Sequence, residues 1–156
     1  DVYKRQVHAS RGLSGIDGQI STAFGLALDG RPVVALLGDQ TIRHDFSGLA
    51  QLAETSLPVV VVGVDNGGGQ IFRDLPFASD VPLDDFVSPR ATDLGAVASA
   101  LGYRTIVAED RGSFAQGFAA LAAAGTPGFL HAKLPPEAEQ LRAEANQWVS
   151  SACRPS

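Results

Sequence analysis

The chain has 156 residues, 45% of them apolar and 19% charged, with 17 glycines, which fits one folded domain rich in tight turns and excludes a wholly disordered chain. The net charge is -5 and Lys and Arg form no cluster, so the electrostatic footprint of a nucleic-acid binder is missing. A lone cysteine, Cys153, excludes an intrachain disulfide, and the longest strongly apolar run, residues 57–64, is too short for a membrane helix; a cytoplasmic protein without nucleic-acid or membrane partners is expected.

Residues 1–6, DVYKRQ, coincide with one reading frame of a common sequencing-library adapter and are read as a non-native leader. Residues 7–156 then form a single domain, expected to be a fragment of a longer protein. Residues 17–29 place Ile20, Phe24, Ala27 and Leu28 at helical spacing, with Gly30 as a stop, which predicts a short helix. Residues 32–37 are a continuous apolar run ending at Gly38-Asp39, the pattern of a parallel strand covered on both faces. Residues 45–55 bring Phe46, Leu49, Leu52 and Ala53 to one side of a second helix. Residues 58–64 repeat the buried-strand pattern and end in Asp65-Asn66-Gly67-Gly68-Gly69. Residues 65–90, aperiodic and rich in Asp, Pro and Phe, read as a long ordered loop with one turn of helix, and loops of that length are usually functional. A helix at 91–101, a strand at 103–108, a helix at 112–124, a strand at 127–134 and a last helix at 136–151 follow. The alternation predicts an α/β fold, a parallel sheet sandwiched between helix layers.

Ligands of open parallel sheets sit at the carboxyl ends of the strands, so Gly38-Asp39 and the Asp65–Gly69 loop are expected side by side. Asp39 and Asn66 offer a carboxylate and an amide oxygen, the hard donors that Mg²⁺ prefers beside phosphate oxygens and water. Glycines 67–69 free the backbone to approach a diphosphate and to turn a carbonyl toward the metal. Thr41 and the start of the following helix add a hydroxyl and N–H groups for the anion. Each piece alone also fits an ordinary turn; their joint placement on consecutive strands is what points to a metal and phosphate site. His44, read as standing at the start of a helix, fits a capping or exposed role as well as an acid–base one. His8 and His131 show no metal-ligand spacing.

Together the two pieces resemble the thiamine diphosphate motif, Gly-Asp-Gly followed about one strand-helix-strand unit later by Asn-Asn. Gln40 replaces the third glycine and Asp65 the first asparagine. Within that superfamily, Ser10-Arg11-Gly12-Leu13-Ser14-Gly15-Ile16-Asp17-Gly18, Gly38-Asp39, His44-Asp45-Phe46-Ser47-Gly48-Leu49 and Asn66-Gly67-Gly68-Gly69-Gln70-Ile71-Phe72 are similar to the 2-succinyl-5-enolpyruvyl-6-hydroxy-3-cyclohexene-1-carboxylate synthases of menaquinone biosynthesis. The similarity runs from residue 7 to 134 and is densest before residue 76.

The resemblance implies the diphosphate-binding domain of a thiamine diphosphate enzyme, with thiamine diphosphate and Mg²⁺ (or Mn²⁺) as cofactors. It implies Asp39, Asn66 and the Gly68 carbonyl as metal ligands, and Gly38, Gln40, Thr41 and Gly67 around the diphosphate. Ser14 and Gly15 would hold the aminopyrimidine, and Ile16 would lie under the cofactor and bend its two rings into a V. Arg11 would pair with a substrate carboxylate; Ile71, against the cofactor, and Phe72 would wall the substrate pocket. The implied activity is that of a transferase, a carboligase that decarboxylates 2-oxoglutarate and adds the succinyl carbanion equivalent to isochorismate. The activating glutamate is expected on the pyrimidine-binding domain of a partner subunit, in a homodimer or homotetramer. No catalytic residue is therefore expected in this chain, which should be inactive alone. Two other readings stay open: another thiamine diphosphate 2-oxoacid decarboxylase or acetolactate synthase-like enzyme, and a noncatalytic nucleotide-binding domain that uses the same glycine turns.

Overall fold

The computed structural model describes residues 6–10, 15–74, 82–87, 92–135 and 144. Among them the apolar, β-branched runs form four strands, β1 (Val33–Gly38), β2 (Val59–Asp65), β3 (Arg104–Ala108) and β4 (Gly128–Lys133). All pair in parallel in the order β1-β2-β4-β3. Val34 lies opposite Val60 and Gly38 opposite Val64, so the chain leaves β1 and β2 at the same height and the two polar turns emerge together.

The helices are α1 (Gln19–Leu26), α2 (Asp39–His44), α3 (Phe46–Ala53), α4 (Leu83–Val87), α5 (Leu94–Ala100) and α6 (Arg111–Ala124), with a 3-10 helix at Gln70–Asp74. Because side chains alternate across a strand, the sheet has two cores. On one face Ile20, Ala23, Ile42, Leu49, Leu52, Leu94 and Ala98 from α1, α2, α3 and α5 pack on Ala35, Val59, Val61 and Phe129. On the other, Leu121, Phe114 and Phe118 of α6 cover Val60, Val62, Ala108 and Leu130. The approach of α2 is close: a Cβ on Gly63 would stand 2.8 Å from Ile42 Cδ1 and 3.1 Å from a Phe129 ring carbon. α6 is held at its start by a capping box, the Asp110 carboxylate accepting from the Gly112 and Ser113 amides, and ends on Gly125 at φ 65°.

The structure departs from the sequence reading in several places. β2 is covered on both faces as expected, but β1 is the edge strand among the described residues: Val34 and Leu36 are 53% and 68% exposed, because α6 packs over β2, β3 and β4. Leu28 is also exposed, since α1 stops at Leu26 and Ala23 takes the buried place. The helix expected at 45–55 has a short predecessor, α2, which breaks from α3 at Asp45 (φ -127°, ψ 35°); His44 therefore ends a helix and does not begin one. The loop expected over 65–90 contains the 3-10 helix and α4, with 75–81 and 88–91 outside the described residues. The helix expected at 136–151 lies outside them too, save residue 144. No helix among the described residues is long and apolar enough to cross a membrane.

Candidate functional site

Gly38 ends β1 in an extended conformation (φ -73°, ψ 159°) and delivers Asp39 as the first residue of α2. Asp39 is 2% exposed, and its Oδ2 has no hydrogen-bond partner among the described residues. An unpaired buried carboxylate oxygen is costly. Burial pushes the Asp39 carboxyl above its ordinary value; the Gln40 amide draws it back, Asp65 pushes it up again, and Arg43 and the Gly68 amide oppose that, leaving the net shift upward. A cation at Oδ2 would favour the charged form and so oppose the effect of burial.

The facing turn is built by β2. Asp65 Oδ1 accepts the Gly67 N–H at 3.0 Å, and Gly67 and Gly68 take φ values of 82° and 123°, a region that L side chains rarely adopt. The Gly68 carbonyl accepts the Gln70 N–H at 2.8 Å and keeps a second lone pair for a metal. Asn66 is exposed at the tip. Gly69 N–H donates to Val87 O at 2.7 Å, pinning the turn to α4, where Phe72 and Phe86 lie with ring centroids 6.3 Å apart.

Besides Asp39 Oδ2, the buried atoms Gln40 Nε2 and Arg43 Nε lack hydrogen-bond partners among the described residues. One short helix thus carries an unpaired acceptor and two unpaired donors, the polarity that a cation bound to a diphosphate would satisfy. No three His, Cys, Asp or Glu side chains among the described residues converge on a metal position. The donor set fits Mg²⁺ instead, which takes a few protein oxygens and completes its shell with phosphate and water. The described residues therefore fit the cofactor implied by the sequence.

The remaining expected residues are partly assembled. Thr41 is half-buried on α2. Gly15 and Ile16 precede α1, and Ile16 is 39% exposed; Ile71 and Phe72 expose apolar surface on the 3-10 helix after the glycine turn. Arg11 and Ser14 lie outside the described residues. His44 and His8 are exposed.

Two residues were not singled out from sequence. Asp45, 4% exposed, accepts the Ile20 N–H at 2.6 Å and the Ser21 N–H at 3.2 Å. It thereby holds the first turn of α1, and the Gly15-Ile16 stretch before it, against the α2–α3 corner. A Cβ on Gly48 would come within 2.6 Å of Asp45 Oδ1, so only glycine leaves the carboxylate room. The other is His131, fully buried on β4, whose Nε2 lies 2.9 Å from Asp65 Oδ2. The hydrogen-bond partners of both residues are remote in sequence, so no local spacing points to either.

Residues 2–132 match the family described as thiamine pyrophosphate enzyme, C-terminal TPP binding domain. The 2-succinyl-5-enolpyruvyl-6-hydroxy-3-cyclohexene-1-carboxylate synthase of Roseiflexus castenholzii is 39% identical over 117 residues, 72% of this chain and 20% of that protein. The protein of the same name from Synechococcus elongatus is 39% identical over 110 residues, 68% of this chain and 19% of that protein. The chain thus spans about a fifth of the length of these curated relatives. Benzoylformate decarboxylase from Polynucleobacter necessarius has a similar fold, with a TM-score of 0.68 at 19% identity over 76% of this chain and 23% of its own. The chain belongs to the family of C-terminal, cofactor-binding domains of thiamine diphosphate enzymes.

Proposed function

We propose that this domain binds Mg²⁺ (or Mn²⁺) through Asp39, Asn66 and the Gly68 carbonyl. In this reading Gly38, Gln40, Thr41 and Gly67 surround the diphosphate of thiamine diphosphate. The observation that carries it is the buried Asp39 carboxylate, unpaired at Oδ2, at the end of the strand next to the one that leads into the glycine turn.

The full-length protein is proposed to be a carboligase that decarboxylates 2-oxoglutarate and adds the succinyl carbanion equivalent to isochorismate. The names of its relatives support this. Bound thiamine diphosphate supplies the carbanion-stabilising chemistry. The chain's own residues bind and orient: Asp39 and Asn66 fix the metal, Gly15 and Ser14 carbonyls take the aminopyrimidine, and Ile16 sets the angle between the two rings. Ile71 and Phe72 wall the substrate pocket and exclude water from it. Arg11 pairs with a substrate carboxylate in two-pronged geometry. The pyrimidine half of the site, with its activating glutamate, comes from a partner subunit of a homodimer or homotetramer.

A substrate panel on the full-length protein tests the activity. Product from 2-oxoglutarate with isochorismate, and none from pyruvate alone, is expected. Efficient turnover of pyruvate or benzoylformate would replace this assignment by another 2-oxoacid decarboxylase.

A further inference from the structure

Where the family motif carries two asparagines this chain has Asp65-Asn66, and the side chain of a fully buried histidine on the neighbouring strand, level with Gly63, reaches Asp65. His131 Nδ1 receives the Gly95 N–H at 3.2 Å from the first turn of α5. Nδ1 is thus the acceptor, and the ring proton is assigned to Nε2, 2.9 Å from Asp65 Oδ2. The other Asp65 oxygen takes the Gly67 N–H. Asp93 does not compete: its Oδ1 lies 3.6 Å from Nδ1 and accepts the Ala96 amide. The result is a continuous run of hydrogen bonds from the α5 backbone through His131 to the Asp65 carboxylate, which also accepts from the turn between Asn66 and Gly68.

We propose that His131 and Asp65 are matched positioning residues that fix the metal-binding turn, with Asp65 acting on Asn66 and the Gly68 carbonyl through the Gly67 amide. Resting on the metal-site reading above, this gives the departure from Asn-Asn a physical reason. An asparagine at 65 has one acceptor oxygen for two donors, Gly67 N–H and His131 Nε2–H, and would strand one of them. A carboxylate accepts both. His131 in turn cannot move its proton to Nδ1, because the Gly95 N–H already points there.

Two substitutions separate positioning from packing. A glutamine amide falls near the place of histidine Nε2 and still donates to Asp65; an asparagine amide falls near Nδ1, accepts the Gly95 N–H and stops short of Asp65. On the full-length protein, Mg²⁺ is titrated at fixed thiamine diphosphate by calorimetry, and the melting temperature is read without ligand. His131→Gln should keep Mg²⁺ affinity close to that of the unsubstituted protein, while His131→Asn and Asp65→Asn weaken it about tenfold or more. Equal affinity in the Gln and Asn variants would overturn the proposal and make His131 a core residue only. If His131→Asn does not fold, Asp65→Asn against His131→Gln decides in the same way. Failure of the unsubstituted protein to bind Mg²⁺ and thiamine diphosphate would be a different result, one that removes the metal site itself and this pairing with it.

Discussion

Asp45 Oδ2 accepts the Ile20 backbone N–H at 2.6 Å, joining two segments 25 residues apart at a buried corner. The bond closes the start of α1 with a carboxylate supplied from the break between α2 and α3. The two chain segments proposed above to meet around the cofactor, the stretch carrying Ile16 and the turn carrying Asp39, are tied by this side chain.

Asp45→Ala should therefore destabilise the fold by about 2–3 kcal/mol, since it strands the buried Ile20 amide that a charged group now satisfies. Cofactor affinity should fall as well, because α1 loses its anchor. Chemical denaturation of the variant checks the first part and calorimetry the second; wild-type stability would mean that the corner is held by packing alone.

Asp39 should behave in the opposite sense. Burial, the largest cause, holds its carboxyl above the ordinary value in the folded state, so the folded protein keeps this proton after the unfolded chain has released it. Ionising Asp39 then costs stability as pH rises from 3.8, the ordinary value, through the higher folded value, and the full penalty applies at neutral pH. Asp39→Asn should raise the melting temperature of the cofactor-free protein at neutral pH and remove stabilisation by Mg²⁺ and thiamine diphosphate. Melting scans with and without cofactor read both signs at once. A variant still stabilised by cofactor would show that the metal lies elsewhere.

The substrate assignment turns on Arg11. Replacing it with Lys keeps the charge and loses the two-pronged geometry. Arg11→Lys should lower kcat/KM of the full-length enzyme for 2-oxoglutarate or isochorismate about tenfold or more, roughly 1.4 kcal/mol of transition-state binding, with cofactor affinity nearly unchanged. Normal activity on both acids would return Arg11 to a structural role.

Much of this was legible in the sequence because parallel strands buried on both faces write themselves as unbroken apolar runs. Residues 58–64 read directly as β2, and the glycine-rich ends of β1 and β2 fell side by side as the strand-end rule requires. Residues 32–37 read the same way, yet β1 is an edge strand with Val34 and Leu36 exposed, since the run of apolar residues does not say how many helices cover it. α2 was not visible because Asp39–His44 has no apolar period: Ile42 is its one apolar side chain. Asp45 and His131 were opaque for a different reason. Their partners lie 25 and 66 residues away, and a hydrogen bond across a sheet or between helices leaves no spacing to read.

The central claim, a metal-dependent thiamine diphosphate site anchored on Asp39 and the Asn66–Gly68 turn, is tested most directly by calorimetry on a protein that contains both this domain and its pyrimidine-binding partner. Thiamine diphosphate should bind with Mg²⁺ present and weakly or not at all after chelation, and at about a hundred times Kd should stabilise the fold by about 2.7 kcal/mol. Binding of a nucleotide in place of thiamine diphosphate, or binding indifferent to the metal, would contradict it.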